Sequence, residues 1–338
     1  MSDNKHHIIG ITQGDVNGIG YEVILKSLSD NKIMDICTPV VYGLAKAASF
    51  HKKTLNLPDF SFQFVKGTEQ LSNKRPNLIN IFDDEVKIDL GSSTKIAGQM
   101  AERALYAAGR DLKNKRLDAI VTAPINKESI QSDKFTFPGH TEFFEHYFGN
   151  KEHQALMMMV APNLRVAFAT NHLPIQDVSS AINQELIYQK LQTLDQTLRQ
   201  DFALDNPTIA VLSLNPHAGD NGVLGKEEKD VIRPTIEKAF QDHINAFGPF
   251  PADSFFANGT YRNFDATLAM HYDQGMIPFK LLAVDGVNYT AGLPIVRTAP
   301  AHGTAYDIAG KNMADGQAMR NAIYLAVDIL KNRKNHQL

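Results

Sequence analysis

A single cysteine, Cys37, stands among 338 residues, which excludes an intramolecular disulfide framework and any Cys-based zinc cluster. There is no basic surplus either: 34 Lys and Arg against 37 Asp and Glu give a formal charge of −3. A sequence-independent nucleic-acid binder needs such a surplus, so no nucleic-acid partner is expected. No apolar run approaches the ~18 residues that suggest a membrane span, and Met1-Ser2-Asp3-Asn4-Lys5 carries no signal-peptide core. The expectation is a cytoplasmic protein without a membrane partner. Internal repeats, low-complexity tracts and long linkers are missing as well. What is present is a globular composition, 43% hydrophobic and 21% charged, long enough for two domains and of the kind enzymes have. Twelve histidines are many for this length.

Short apolar runs alternate with helix-period runs. Ile8–Ile11, Val40–Tyr42, Leu78–Ile81, Ala119–Val121, Ala155–Val160, Arg165–Ala169, Thr208–Leu214 and Thr267–Met270 read as strands. Ala97, Ala101, Ala104, Leu105, Ala108 and Leu112 recur at helical spacing, as do Leu186, Ile187, Leu191, Leu194 and Leu198, and Ala322, Leu325, Ala326 and Ile329. Such alternation predicts an α/β architecture with a largely parallel sheet. Asn215-Pro216-His217, Asn171-His172 and Thr122-Ala123-Pro124 follow predicted strands, and the carboxyl ends of strands are where open α/β sheets bind ligands.

Five strings carry candidate chemistry. Gly14-Asp15-Val16-Asn17-Gly18-Ile19-Gly20 could expose amides at a helix N-terminus, or be a plain tight turn; it is neither a G-x-G-x-x-G fingerprint nor a P-loop. Pro138-Gly139-His140-Thr141-Glu142 could present His140 and Thr141 from a loop, or start a helix capped by Thr141. His172, His217 and His271 each lie at or beyond a predicted strand end; neutral imidazoles there can ligate a metal or make structural hydrogen bonds. Lys280, Asn288 and Arg297 lie in apolar surroundings, where a cation needs an anionic ligand or an internal ion pair. The most distinctive string is His302-Gly303-Thr304-Ala305-Tyr306-Asp307-Ile308-Ala309-Gly310-Lys311, read as a loop into a helix with Thr304 at the N-cap and free amides behind it.

That last string resembles the cofactor loop of the β-decarboxylating dehydrogenases, the isocitrate and isopropylmalate dehydrogenase group. Taken with Thr122–Lys127, Pro138–Glu142, Asn215–Gly219, Asp273-Gln274-Gly275 and Gly292-Leu293-Pro294 followed by Arg297-Thr298, the chain resembles the 4-hydroxythreonine-4-phosphate dehydrogenase family along nearly its whole length. The resemblance implies two α/β/α domains with the active site in the cleft between them. Residues 1–125 with 293–338 would form the first, holding the termini and cofactor loop, and 126–292 the second, holding the metal ligands and dimer interface. It further implies oxidation of 4-phosphooxy-L-threonine at C3 by NAD or NADP to 2-amino-3-oxo-4-(phosphooxy)butanoate. Decarboxylation then gives 3-amino-2-oxopropyl phosphate, a step in pyridoxal 5'-phosphate biosynthesis.

Carried over by position, His140, Thr141, Lys280, Asn288 and Arg297 would bind the small phosphorylated substrate. His172, His217 and His271 would hold one divalent ion (Zn, Mg or Co). Gly303, Thr304, Ala305, Asp307, Ile308 and Ala309 would hold the cofactor's adenosine end. No catalytic residue is implied beyond the metal site, and the assembly would be a homodimer with a shared active site. The chain departs from the family pattern at Val16-Asn17 and Tyr21, at Ala301, and at His271-Tyr272, where the family reads Tyr-His. In an extended segment neighbouring side chains face opposite ways, so either the backbone re-aims His271 or Tyr272 takes that corner. A neutral imidazole needs no deprotonation to bind a metal, which favours His271. Three rivals remain: a paralogous dehydrogenase of threonate or erythronate 4-phosphate, a metal-dependent hydrolase using His172 and His217, and a non-catalytic binding or structural role. The His302–Lys311 string argues against the hydrolase, which needs no nucleotide.

Overall fold

A computed structural model describes residues 6–82 and 86–336. The chain divides into two compact units, Met1–Phe148 with Ile295–Lys331 and Gly149–Pro294 with Asn332–Leu338. In the first unit the strands lie in the order Gln63–Val65, Asn77–Asn80, Cys37–Gly43, His7–Thr12, Ala119–Thr122 and Val296–Pro300, every neighbouring pair parallel. Cys37–Gly43 and Ala119–Thr122 are buried throughout, as strands covered on both faces must be. Helix Lys95–Lys113 starts where Thr94 Oγ1 accepts the Ala97 amide at 3.3 Å, and its alanine and leucine stripe is buried from Ala97 to Leu112.

In the second unit the order is Val287–Ala291, Leu156–Ala161, Leu164–Phe168, Ala266–Ala269, Thr208–Leu212 and Asn245–Phe250. Leu156–Ala161 runs antiparallel to both of its neighbours, and the other pairs are parallel. All eight predicted strands are therefore present. Four of the described strands were not predicted: Gln63–Val65 and Asn245–Phe250, outermost in their series, where short or Gly-Pro-containing segments are tolerated, and Val287–Ala291 and Val296–Pro300, whose apolar runs Asn288 and Arg297 interrupt. Among the described residues no helix is long and apolar enough to cross a membrane.

The unit boundaries differ from the sequence expectation at three places, residues 126–148, 293–294 and 332–338. Residues 126–148, expected in the second domain, cluster with the first unit. Phe143 packs against Tyr106 with ring centroids 5.3 Å apart, and the Tyr106 hydroxyl donates to the Lys134 carbonyl at 2.6 Å. Residues 332–338, expected in the first domain, cluster with the second, where Arg333 Nε donates to Asp201 Oδ1 at 2.6 Å.

Candidate active site

Parallel neighbours send their following loops to one sheet edge. In the first unit these loops include 13–20, 123–129 and 301–309. They touch backbone to backbone. Asp15 N donates to the Pro124 carbonyl at 2.9 Å and Ile19 N to the Thr304 carbonyl at 3.0 Å. A Cβ on Gly14, whose φ is +68°, would lie 2.3 Å from the Pro124 oxygen, and one on Gly18 would lie 2.7 Å from that of Thr304. Gly14 therefore serves close approach to the 123–129 loop and Gly18 to the 302–309 string. Asp15 is buried, accepting the Asn17 amide at 2.8 Å and the Tyr306 hydroxyl at 2.7 Å; burial raises its carboxyl above the usual range.

The 302–309 string is not a capped helix as expected. It makes a single 3₁₀ turn, Tyr306–Ile308, preceded by Ala305 in the left-handed region (φ 43°), with no side-chain cap; Thr304 contributes its carbonyl instead. Asp307 is exposed, and the space beside Gly303 is open. An exposed carboxylate and an uncrowded glycine fit the ribose and adenine of a dinucleotide.

Arg297 is the largest side chain buried in the protein, 2% exposed. It pairs with Ile120 on the adjacent strand, so its side chain shares a face with Ile120 and Thr122. Thr122 Oγ1 accepts from Arg297 Nε at 3.1 Å and Nη2 at 2.6 Å. Burial pushes the guanidinium down to about 9, partly countered by Glu142, so it stays a cation at neutral pH. His140, the first residue of helix His140–Phe148, is partly buried, and its Nε2 is enclosed without a protein hydrogen-bond partner. Burial, then Arg297 and Lys127, hold this imidazole well below its usual range, so it is neutral. Thr141 is buried beside it in the helix rather than capping it. A buried cation, a neutral imidazole and a hydroxyl are groups of the kind that bind an anion.

In the second unit the loops after Leu164–Phe168, Ala266–Ala269 and Thr208–Leu212, three adjacent parallel strands, carry His172, His271 and His217. The loops are tied together. Met270 O accepts from Thr170 N and Oγ1, Met270 N donates to Gln274 Oε1 at 2.8 Å, and Gln274 Nε2 donates to the Ser213 carbonyl at 2.6 Å. His172 and His217 are exposed. From His217 to Asn221 five successive residues have φ between 43° and 73°. A left-handed conformation costs an L-residue roughly 1–2 kcal/mol, and four of these five carry a Cβ.

His271 is the histidine expected to complete a metal site with His172 and His217. Residues 271–272 are not strand: His271 is extended at the N-cap of helix Tyr272–Leu282, and Tyr272 is its first residue. The Tyr272 ring stacks on Phe168 at 5.9 Å and lies 6.0 Å from His172. Among the described residues no group of three or more His, Cys, Asp or Glu is placed to hold a metal ion. His172, His217 and His271 thus share a sheet edge without forming a ligand set. Lys280, expected in apolar surroundings, sits exposed on the helix, whereas Asn288 keeps a buried Oδ1 without a hydrogen-bond partner. Thr122, Gln274, Asp15 and Tyr306 all stand in strings the sequence singled out, but their partners (Arg297, Ser213, and each other) depend on strand register and loop contacts.

A family model for the pyridoxal phosphate biosynthetic protein PdxA matches residues 35–326. The 4-hydroxythreonine-4-phosphate dehydrogenase of Bacteroides thetaiotaomicron is 48% identical, covering 100% of this chain and 92% of its own. The D-threonate 4-phosphate dehydrogenase of Cupriavidus necator is 35% identical over 96% of this chain and 98% of its own. The crystal structure of 4-hydroxythreonine-4-phosphate dehydrogenase from Klebsiella pneumoniae superposes with a TM-score of 0.80 at 32% identity, covering 97% of this chain and 99% of that one. Isocitrate dehydrogenase from Methylococcus capsulatus shares the fold alone, with a TM-score of 0.51 at 11% identity over 98% and 88% of the two chains. The fold is thus α/β and isocitrate dehydrogenase-like, and the chain belongs to the family of the pyridoxal phosphate biosynthetic protein PdxA.

Proposed function

We propose that the chain is a 4-hydroxythreonine-4-phosphate dehydrogenase, oxidising 4-phosphooxy-L-threonine with NAD or NADP. The observation that carries this reading is the buried Arg297 held by Thr122 beside neutral His140, groups of the kind that bind a phosphate or carboxylate, in a chain 48% identical to an enzyme of that name. Arg297, His140 and Thr141 bind the substrate's anionic end, and Lys280 and Asn288 supply a further cation and a carboxamide. Gly303, Thr304, Ala305, Asp307, Ile308 and Ala309 would hold the adenosine end of the cofactor, which when bound would supply the hydride acceptor for C3. The hydroxyl proton leaves to solvent, and the β-keto acid then releases carbon dioxide. Remote binding of the phosphate orients the reacting carbon. The imidazole of His217, on its constrained turn, meets the reacting end of the substrate.

A homodimer fits the surface of the second unit. Ile277 and Leu281, one turn apart on helix Tyr272–Leu282, are 58% and 79% exposed, and Val284 just beyond is 89% exposed. Apolar surface of that kind marks an interface. The second reading is a D-threonate 4-phosphate dehydrogenase, favoured by the Cupriavidus necator relative. Formation of reduced cofactor from 4-phosphooxy-L-threonine, D-threonate 4-phosphate and D-erythronate 4-phosphate tests both. The highest kcat/KM should belong to the first substrate; a clear preference for either sugar-acid phosphate would replace the main reading.

A further inference from the structure

The left-handed turn that carries His217 does not hold itself. Its buttress is Glu228, a carboxylate 2% exposed at the start of the π-helical turn Glu228–Ile232. Glu228 Oε1 accepts two backbone donors from the loop leaving strand Thr208–Leu212, Leu214 N at 2.8 Å and Asn215 N at 2.7 Å. Its Oε2 accepts from Asn215 Nδ2 at 3.0 Å, and that amide also donates to Glu227 Oε2 at 2.8 Å. A Cβ on Gly219, the centre of the turn, would lie 2.5 Å from Glu228 Oε2, so the turn closes directly over the carboxylate. From the opposite side Gln274 Nε2 donates to the Ser213 carbonyl. The chain before His217 is therefore gripped between a buried acceptor and a carboxamide. An unpaired carboxylate buried this deeply would be costly; with three donors converging on it, it is satisfied.

We propose that Glu228 is a positioning residue of the reaction: it fixes the Pro216–Gly222 turn so that His217 meets the substrate, without touching the substrate itself. The chemistry explains why a carboxylate suits the position. One oxygen accepts two amide N–H groups while the other accepts a side-chain amide, and no neutral side chain offers the same acceptors at both ends. A glutamine would keep an oxygen for Leu214 N and Asn215 N but would oppose its own NH₂ to that of Asn215.

The inference rests on the reading that His217 belongs to the active site, and a double-mutant cycle separates the two. Glu228→Ala, Glu228→Gln, His217→Ala and the combined His217→Ala/Glu228→Ala protein are compared by unfolding temperature, KM and kcat. Glu228→Ala should lower kcat/KM for 4-phosphooxy-L-threonine about 100-fold while KM for the cofactor stays within about twofold, and Glu228→Gln should recover at least about tenfold of the loss. On the His217→Ala background, removing Glu228 should cost less than about threefold more, because both act through one imidazole.

Losses that multiply in the double mutant would show that Glu228 acts on the fold at large, and would overturn the proposal. So would Glu228→Ala staying within about threefold of wild type while His217→Ala is disabled. If His217→Ala itself keeps wild-type kcat/KM, the reading of His217 is what has failed, and the role of Glu228 falls with it. Should Glu228→Ala not fold, the glutamine variant carries the cycle: its smaller loss must vanish on the His217→Ala background.

Discussion

Arg297 keeps its charge at neutral pH although burial depresses it to about 9, and Thr122 orients two of its donors with one hydroxyl. A cation held in that way is poised for an oxyanion. Arg297→Ala should raise KM for the phosphorylated substrate roughly 100-fold, the loss of a charge-assisted contact worth a few kcal/mol. Inorganic phosphate should raise the unfolding temperature of wild type and leave that of the variant unmoved, as linkage requires. Equal shifts in both proteins would remove Arg297 from the anion pocket. The arginine was legible in the sequence because a cation among apolar residues needs a partner; that Thr122 is this partner was not, since only strand register places it two residues along the neighbouring strand on the same face. The pair His271–Tyr272 misled for a related reason. Strand alternation would send the two side chains to opposite faces, but the strand ends at Ala269 and a helix begins at Tyr272, which turns the tyrosine ring onto Phe168 and beside His172. His271→Ala should therefore keep kcat/KM within about threefold, whereas Tyr272→Ala should lose at least about tenfold along with some stability, as truncation of a packed aromatic does. Steady-state kinetics on the two folded variants decides it, and a disabled His271→Ala with an active Tyr272→Ala would reverse the assignment.

Between elements, backbone proximity does what side chains cannot. Gly18 lies where a Cβ would come 2.7 Å from the Thr304 carbonyl oxygen and 3.1 Å from the Thr304 Cβ. Backbone atoms cannot swing aside, so Gly18→Ala should part the 14–20 loop from the 302–309 loop and break the Ile19–Thr304 hydrogen bond. The expected outcome is a KM for NAD raised about fivefold or more with substrate KM little changed, at a stability loss of about 1–2 kcal/mol. Unchanged cofactor KM in a folded variant would move the cofactor away from Gly303–Ala309. The sequence showed both strings but not that one supports the other, because a glycine's purpose depends on what approaches it. Strands were legible where the buried run is uninterrupted, as at Cys37–Gly43, and illegible where Gln63–Val65 has exposed residues, where Asn245–Phe250 contains Gly248 and Pro249, and where Asn288 and Arg297 stand inside the buried strands Val287–Ala291 and Val296–Pro300. Helix Tyr272–Leu282 was missed because Pro278 interrupts its pattern, and that misplaced Lys280 in apolar surroundings.

For the molecule as a whole, the order of strands and helices was readable from periodicity, but the division into units was not. The boundary near residue 125 followed a strand end, whereas residues 126–148 stay with the first unit through contacts such as Phe143 on Tyr106, which no local pattern announces. Assembly poses the same problem at larger scale. Ile277 and Leu281 are four residues apart, so they share a helix face, and both are exposed in a helix whose other side buries Met276 and Phe279. We propose that the exposed apolar face of this helix is covered by a partner. If that partner is a second copy of the chain, two charges on the outer face should separate the copies without unfolding either, since substitutions at exposed positions away from special contacts change stability by about 0.5 kcal/mol or less. Ile277→Asp/Leu281→Asp should therefore run as a monomer in light scattering where wild type runs as a dimer, with its far-ultraviolet circular dichroism preserved. Activity adds a second readout. An active site shared between copies would lose kcat with the dimer and regain it at high protein concentration, whereas a site complete within one chain would keep it. A double variant that stays dimeric would exclude this helix face from the interface.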